Sequence, residues 1–264
     1  MQAFVIIMVL FVIGGTIFDV IHKRSAAFFF NKSKEAEAAR KREVGGGEKM
    51  GIAIKTVAED VLTSAEFCNA NRRIAHLLGM YGFVLFILAS AMMVFKYPTP
   101  EMATPVIWPL MWHIGALMVC VGGYWFWFFI RVDVAAEGNS WHRIVKADLF
   151  ILSLLATCTF GLIWSFLQSS GNGGAMLFLA LFIISSLVLF GGVIWSKFAH
   201  MFFKPAAAYQ KRVMKADGSR ENMPEIGDLS DPELQKKFPD IKEYMGEKPA
   251  YMGLGIKRER PQHY

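Results

Sequence analysis

A bilayer offers no water to backbone N–H and C=O groups, so a chain crosses it only as helices or as a closed barrel. A helical crossing takes roughly 20 apolar residues at a rise of about 1.5 Å each. This chain has five such blocks: Met1 to Ile21, Ile74 to Phe95, Ile107 to Ile130, Ala147 to Leu167, and Ala175 to Trp195, the last running on through Lys197 to His200. Only Gln2 and Asp19 interrupt the first, and Asp148, near one end of the fourth, is the only formally charged residue in the other four. Strict apolar/polar alternation is absent, which argues against a membrane barrel. The expectation is an all-α integral membrane protein with five transmembrane helices. The first block lacks the basic leader and small-residue cleavage site of a signal peptide, and reads as a retained span.

Lys and Arg accumulate in cytoplasmic loops close to span ends. Here 27 of the 28 fall in residues 22–73, 131–146 and from Lys197 onward; Lys96 alone lies in the opposite set of loops. With five spans this predicts an external N-terminus, a cytoplasmic C-terminus and insertion in the inner (cytoplasmic) membrane. Topology and anionic lipid account for the net charge of +6 without nucleic acid. The chain divides into a first transmembrane helix (1–22), a basic cytoplasmic loop (23–73), a four-helix transmembrane bundle (74–205) and a C-terminal arm (206–264). In the loop, Gly45-Gly46-Gly47 separates a Lys/Glu/Ala-rich helical stretch from an amphipathic segment, Met50 to Phe67, suited to the membrane surface. The arm reads either as an extended docking surface for a cytoplasmic partner or as a disordered tail.

Three isolated cysteines (Cys68, Cys120, Cys158) support neither an iron–sulfur cluster nor a thiolate zinc site, and no phosphate-binding loop is present. Ionisable groups inside spans are costly and usually functional. His76 lies about one turn inside the cytoplasmic end of the second block and His200 at the same end of the fifth. Two antiparallel helices with imidazoles at one depth are what bis-histidine ligation of a b-type haem requires. Arg72, Arg73, Lys197 and Lys204 are placed to meet haem propionates, and Gly79, Gly82, Gly191 and Gly192 to admit a macrocycle against the backbone. The simpler reading of each histidine is an interfacial polar side chain, and His22 and His142 offer other pairings. His113 lies near the outer face beside Trp108 and Trp112, which read as an interfacial aromatic belt. A hydrogen bond to a quinone carbonyl is the role open to His113, with Trp112 beside it. Asp148 reads as an ion-pair partner of Lys146, and the aromatic run Tyr124 to Phe129 as packing against lipid or haem.

The segments Asn71-Arg72-Arg73-Ile74-Ala75-His76-Leu77-Leu78 with Tyr81-Gly82-Phe83, and Trp195-Ser196-Lys197-Phe198-Ala199-His200 with Lys204-Pro205, resemble the start of the second span and the end of the fifth in membrane cytochrome b subunits of the nitrate-reductase gamma type. The resemblance covers about residues 1–205. It extends to the membrane subunits of heterodisulfide-reductase-like, quinone-interacting complexes, and the long arm and missing iron–sulfur domain look most like the membrane anchors associated with adenylylsulfate reductase. It implies that His76 and His200 hold one haem b on the cytoplasmic side. Two-haem members carry further ligands deeper in both spans. Here those places read Leu85-Phe86-Ile87 and Phe182-Ile183-Ile184, so one haem or none is expected. The implied function is an electron-transfer anchor linking a cytoplasmic redox enzyme of sulfur metabolism to membrane quinone. The alternative is a haem-free anchor or assembly subunit that only localises such a partner.

Overall fold

The computed structural model describes residues 1–22, 25–65, 67, 69–99, 101–133, 138–196, 198, 200–219 and 231–237, with backbone alone for residues 25, 200 and 202. Among these residues every regular element is helical. Five helices are long and apolar enough to cross a membrane. They are α1 (Gln2–His22), α4 (Ala70–Lys96), α5 (Ile107–Trp125, continued by a wider π turn, Phe126–Ile130), α6 (Leu149–Ser169, led in by a 3₁₀ turn at Lys146–Asp148) and α7 (Ala175–Gly191, ended by a 3₁₀ turn at Gly192–Ile194). Between α1 and α4 lie α2 (Ser25–Ala38) and α3 (Gly46–Lys55), the latter running into a π turn, Thr56–Leu62. After α7 come α8 (His200–Asp217) and a short α9 (Pro232–Lys237).

The spans start and stop for local reasons. The Asn69 side chain accepts a hydrogen bond from the Arg72 amide at 3.1 Å, so α4 begins a turn before its apolar run. Between α6 and α7, Gly171 takes a φ of +65°, and Asn172 Oδ1 accepts from the Gly174 amide at 2.9 Å. Lateral surfaces stay apolar: Ile6, Leu10, Ile13 and Ile17 form an exposed stripe along α1. Such stripes want lipid, not water.

Small residues bring α4 and α5 together. A Cβ on Gly82 would come within 2.7 Å of the Gly115 carbonyl oxygen, and one on Gly122 within 2.6 Å of the Ala75 carbonyl oxygen. Close backbone approach of this kind is how helices associate in lipid, where no hydrophobic force drives them together. Farther along, Phe86, Trp112, Val119, Leu154, Cys158 and Leu189 form the core.

Two boundaries differ from the sequence expectation. The fifth span does not continue to His200: α7 gives way at Gly191 and Gly192, poor helix formers, and His200 heads a separate helix. The Ser196 hydroxyl accepts from the Phe198 amide at 3.2 Å in the connection. In addition, α8 runs through residue 206, where an extended arm is expected to begin, and carries Pro205 inside it. It is held from outside. Arg212 forks onto Asp60 (2.7 and 3.0 Å) and reaches Glu59 (2.8 Å), while the Lys41 and Arg42 amides donate to the Asp217 carbonyl. The loop of 23–73 and the start of the arm therefore form one unit at the basic end of the bundle. Met50, Ile54, Val57 and Leu62 stay exposed on it. Most of the arm beyond residue 219 lies outside the described residues.

Candidate functional site

Two groups of side chains stand at opposite ends of the bundle. At the basic end, the chain leaving the Thr56–Leu62 turn is tied onto α4 by Tyr81 Oη, which donates to the Leu62 carbonyl at 2.7 Å, and by Arg73 Nε, which donates to the Thr63 carbonyl at 2.7 Å. Ser64, buried and at a φ of +48°, is thereby brought to His76: Oγ lies 3.1 Å from Nδ1. The Phe67 ring sits 4.8 Å from the His76 ring. Arg72 and Lys204 both approach that phenyl ring, at 5.7 and 5.1 Å.

Three of the expected residues, His76, Arg72 and Lys204, thus gather on Phe67, while Arg73 is spent on the backbone of the 63 loop. Lys197 lies outside the described residues, and His200 is described by backbone alone. Its position follows from α8: it stands four residues, about one turn or 6 Å, before Lys204. Lys204 therefore reaches the Phe67 ring from a different helix, while among the described residues no Cα of α8 lies within 8 Å of a Cα of α4. A haem-ligating histidine needs its second ring nitrogen held by a hydrogen bond. Ser64 supplies that at His76 Nδ1, so Nε2 is the nitrogen an iron would take. The residues fit one half of a bis-imidazole site, and a cationic rim accompanies it.

Two of the four glycines are already filled, Gly82 by the α5 backbone and Gly192 by Leu149 at 3.1 Å; among the described residues Gly191 meets Phe11 at 3.9 Å and Gly79 has nothing within 4 Å. Asp148 also has a different partner. Arg131, 3% exposed, donates to its Oδ2 at 2.6 Å and lies 4.0 Å over the Trp127 ring, whereas Lys146 points to the surface. A guanidinium outcompetes an ammonium here because it can stack on the indole and donate to the Arg143 carbonyl at the same time.

At the other end, α4 and α7 stand apart: no Cα of one lies within 8 Å of a Cα of the other. The gap, partly covered by α1, holds a cavity of about 1020 Å³. Its walls include Phe86, Ile87, Phe182 and Ile183, the level at which further haem ligands are absent from the sequence. It also reaches Phe198 and Met201 toward the basic end. Its polar side chains are His113, Ser165, Ser186, Ser90, Tyr97 and Gln2, and Trp112 and Trp164 also line it. His113 Nδ1 lies 2.7 Å from the Pro109 carbonyl oxygen and Nε2 lies 2.8 Å from Ser165 Oγ. Trp112 is buried, not part of an interfacial belt: its ring stands 5.1 Å from Phe86 and 6.3 Å from Phe182. Gly161 makes room for it, since a Cβ there would meet the indole at 3.0 Å.

Sequence reading missed Ser64, Phe67 and Ser165. Nothing in their local sequence marks them; each matters because a distant segment folds beside it. The fold defines the class, a multi-pass helical membrane protein. No family model, no curated protein and no solved structure matches the chain.

Proposed function

We propose that this protein is a membrane anchor and electron-transfer subunit that couples a cytoplasmic redox enzyme to the membrane quinone pool. The observation that carries the reading is the apolar cavity between α4 and α7, which is lined by residues of α1 and by the His113–Ser165 pair. Binding cavities of this size are mostly apolar with a few converging polar groups, and an isoprenoid quinone has that same division between tail and ring. Trp112 and Trp164 supply flat surfaces for the ring. The orientation follows from charge: the basic end, with α2, α3 and α8, faces the cytoplasm and presents the docking surface. By the sequence resemblance the partner is an enzyme of sulfur metabolism, adenylylsulfate reductase the nearest match.

His76 and His200 would hold one b-type haem at the basic end, and the group supplies one-electron transfer when bound. Ser64 would accept from His76 Nδ1 and so orient the ring, and Arg72 and Lys204 would offset propionate charge. The pyridine haemochrome of purified, full-length protein tests this. A low-spin b-type spectrum is expected in wild type and its loss in His76→Ala and His200→Ala, with the partner still bound. A haem-free assembled sample would overturn the conduit.

The second reading is a haem-free anchor. The folded unit that Arg212 joins to Asp60 and Glu59 favours it, because that unit would dock a partner without any redox role. Under this reading the purified protein carries no haem, and deleting the chain after Pro205 releases the partner to the soluble fraction.

A further inference from the structure

The His113–Ser165 pair has a definite hydrogen-bond polarity. A carbonyl oxygen only accepts, so the 2.7 Å contact with Pro109 places a proton on His113 Nδ1. In the neutral ring Nε2 must then accept, and the Ser165 hydroxyl donates to it at 2.8 Å. Ser165 Oγ keeps lone pairs for the cavity and can take a hydrogen bond from a ligand hydroxyl. In the imidazolium Nε2 donates instead. The Ser165 proton is then released and can be offered to a ligand carbonyl.

We propose that Ser165 contacts the ring oxygen of the quinone and that His113, acting through it, sets whether the site receives a quinol or a quinone. This rests on the quinone reading above and assigns the group that discriminates the two redox forms. With His113 neutral the site accepts from a quinol O–H; with His113 charged it donates to a quinone C=O. Oxidation of the quinol releases two protons and two electrons. One proton passes from the ring hydroxyl to Ser165 Oγ as the Ser165 proton passes to His113 Nε2. The second leaves from the far hydroxyl to water, and the two electrons leave one at a time to a one-electron acceptor; reduction reverses each transfer. Among the described residues the other ionisable groups around the cavity are the Tyr97 phenol and the Met1 amino group, and no carboxylate, Lys or Arg lines it.

The test is quenching of tryptophan fluorescence by decylubiquinone, with full-length protein in lipid nanodiscs. Wild-type affinity for this quinone should be tighter at lower pH than at higher pH, by no more than about tenfold per unit, because the donating arrangement takes up one proton. Ser165→Ala should bind about tenfold more weakly and without that slope, and Ser165→Thr should restore both. His113→Gln retains a hydrogen-bonding side chain that cannot ionise, and should bind with no pH slope. A wild-type slope in Ser165→Ala or in His113→Gln overturns the inference while leaving the quinone site standing. Absence of binding by wild type overturns both.

Discussion

Gly82 and Gly115 face each other across the α4–α5 contact, each positioned so that a Cβ would lie 2.7 Å from the other's carbonyl oxygen. The neighbours are backbone, which cannot swing aside as a side chain does. Gly82→Ala or Gly115→Ala must therefore push the two helices apart. The expected cost is about 1–3 kcal/mol, read as a lower thermal midpoint in detergent. Gly79→Ala, three residues away on the same helix with nothing within 4 Å, should leave the midpoint unchanged or slightly raised.

The buried pair of Arg131 and Asp148 fixes the connection between α5 and α6. Asp148 Oδ2 also accepts from the Val145 amide at 3.0 Å, so its removal unties two partners. Asp148→Ala should cost about 3–5 kcal/mol, because it strands a desolvated guanidinium. Replacing both residues with apolar side chains of similar volume should cost much less. Thermal unfolding of Asp148→Ala and of the double replacement distinguishes these outcomes.

Arg212 joins α8 to the Thr56–Leu62 turn, and the hydrogen bonds it donates to Asp60 and Glu59 hold its guanidinium above the ordinary arginine range. Arg212→Ala should leave the transmembrane bundle intact and loosen the basic-end unit alone. Limited proteolysis in nanodiscs is expected to cut within residues 39–62 at least several-fold faster than in wild type, with unchanged protection of the spans. Equal protection of both regions would mean that the unit is held by other contacts.

On the same unit, Arg42 donates to Glu48 Oε2 at 2.9 Å, and this pairing holds the Glu48 carboxyl below its usual value of 4.5. A carboxyl whose folded value is depressed contributes order above its unfolded value and loses it as pH falls through the folded one. Amide exchange around residues 41–48, corrected for intrinsic rates, should thus be flat above pH 4.5 and lose protection below it. Glu48→Gln should remove the transition. The group is exposed, so raised salt should weaken the effect.

Hydropathy and charge are properties of residues summed along a chain, and they predict the five helices and the basic end. The spans follow the apolar blocks to within a few residues because desolvating a backbone in lipid forces helix whatever the neighbours. Two limits differ: Gly191 and Gly192, poor helix formers, end the fifth span before His200, and α8, tied through Arg212 to Asp60 and Glu59, is helical where an extended arm was expected. The histidines were visible as rare polar groups in apolar surroundings. Their partners were not: Ser64 is 12 residues from His76, and Ser165 is 52 from His113.

From its sequence alone the protein was bound to be a helical, membrane-spanning chain with one basic end, since burial and charge act residue by residue. Tertiary structure decided which faces meet. The rotation of α4 against α5 gave Gly82 to packing, the separation of α4 from α7 opened the cavity, and the meeting of α5 with α6 set Ser165 against His113. Such contacts depend on the angle and register between helices, which hydropathy does not encode.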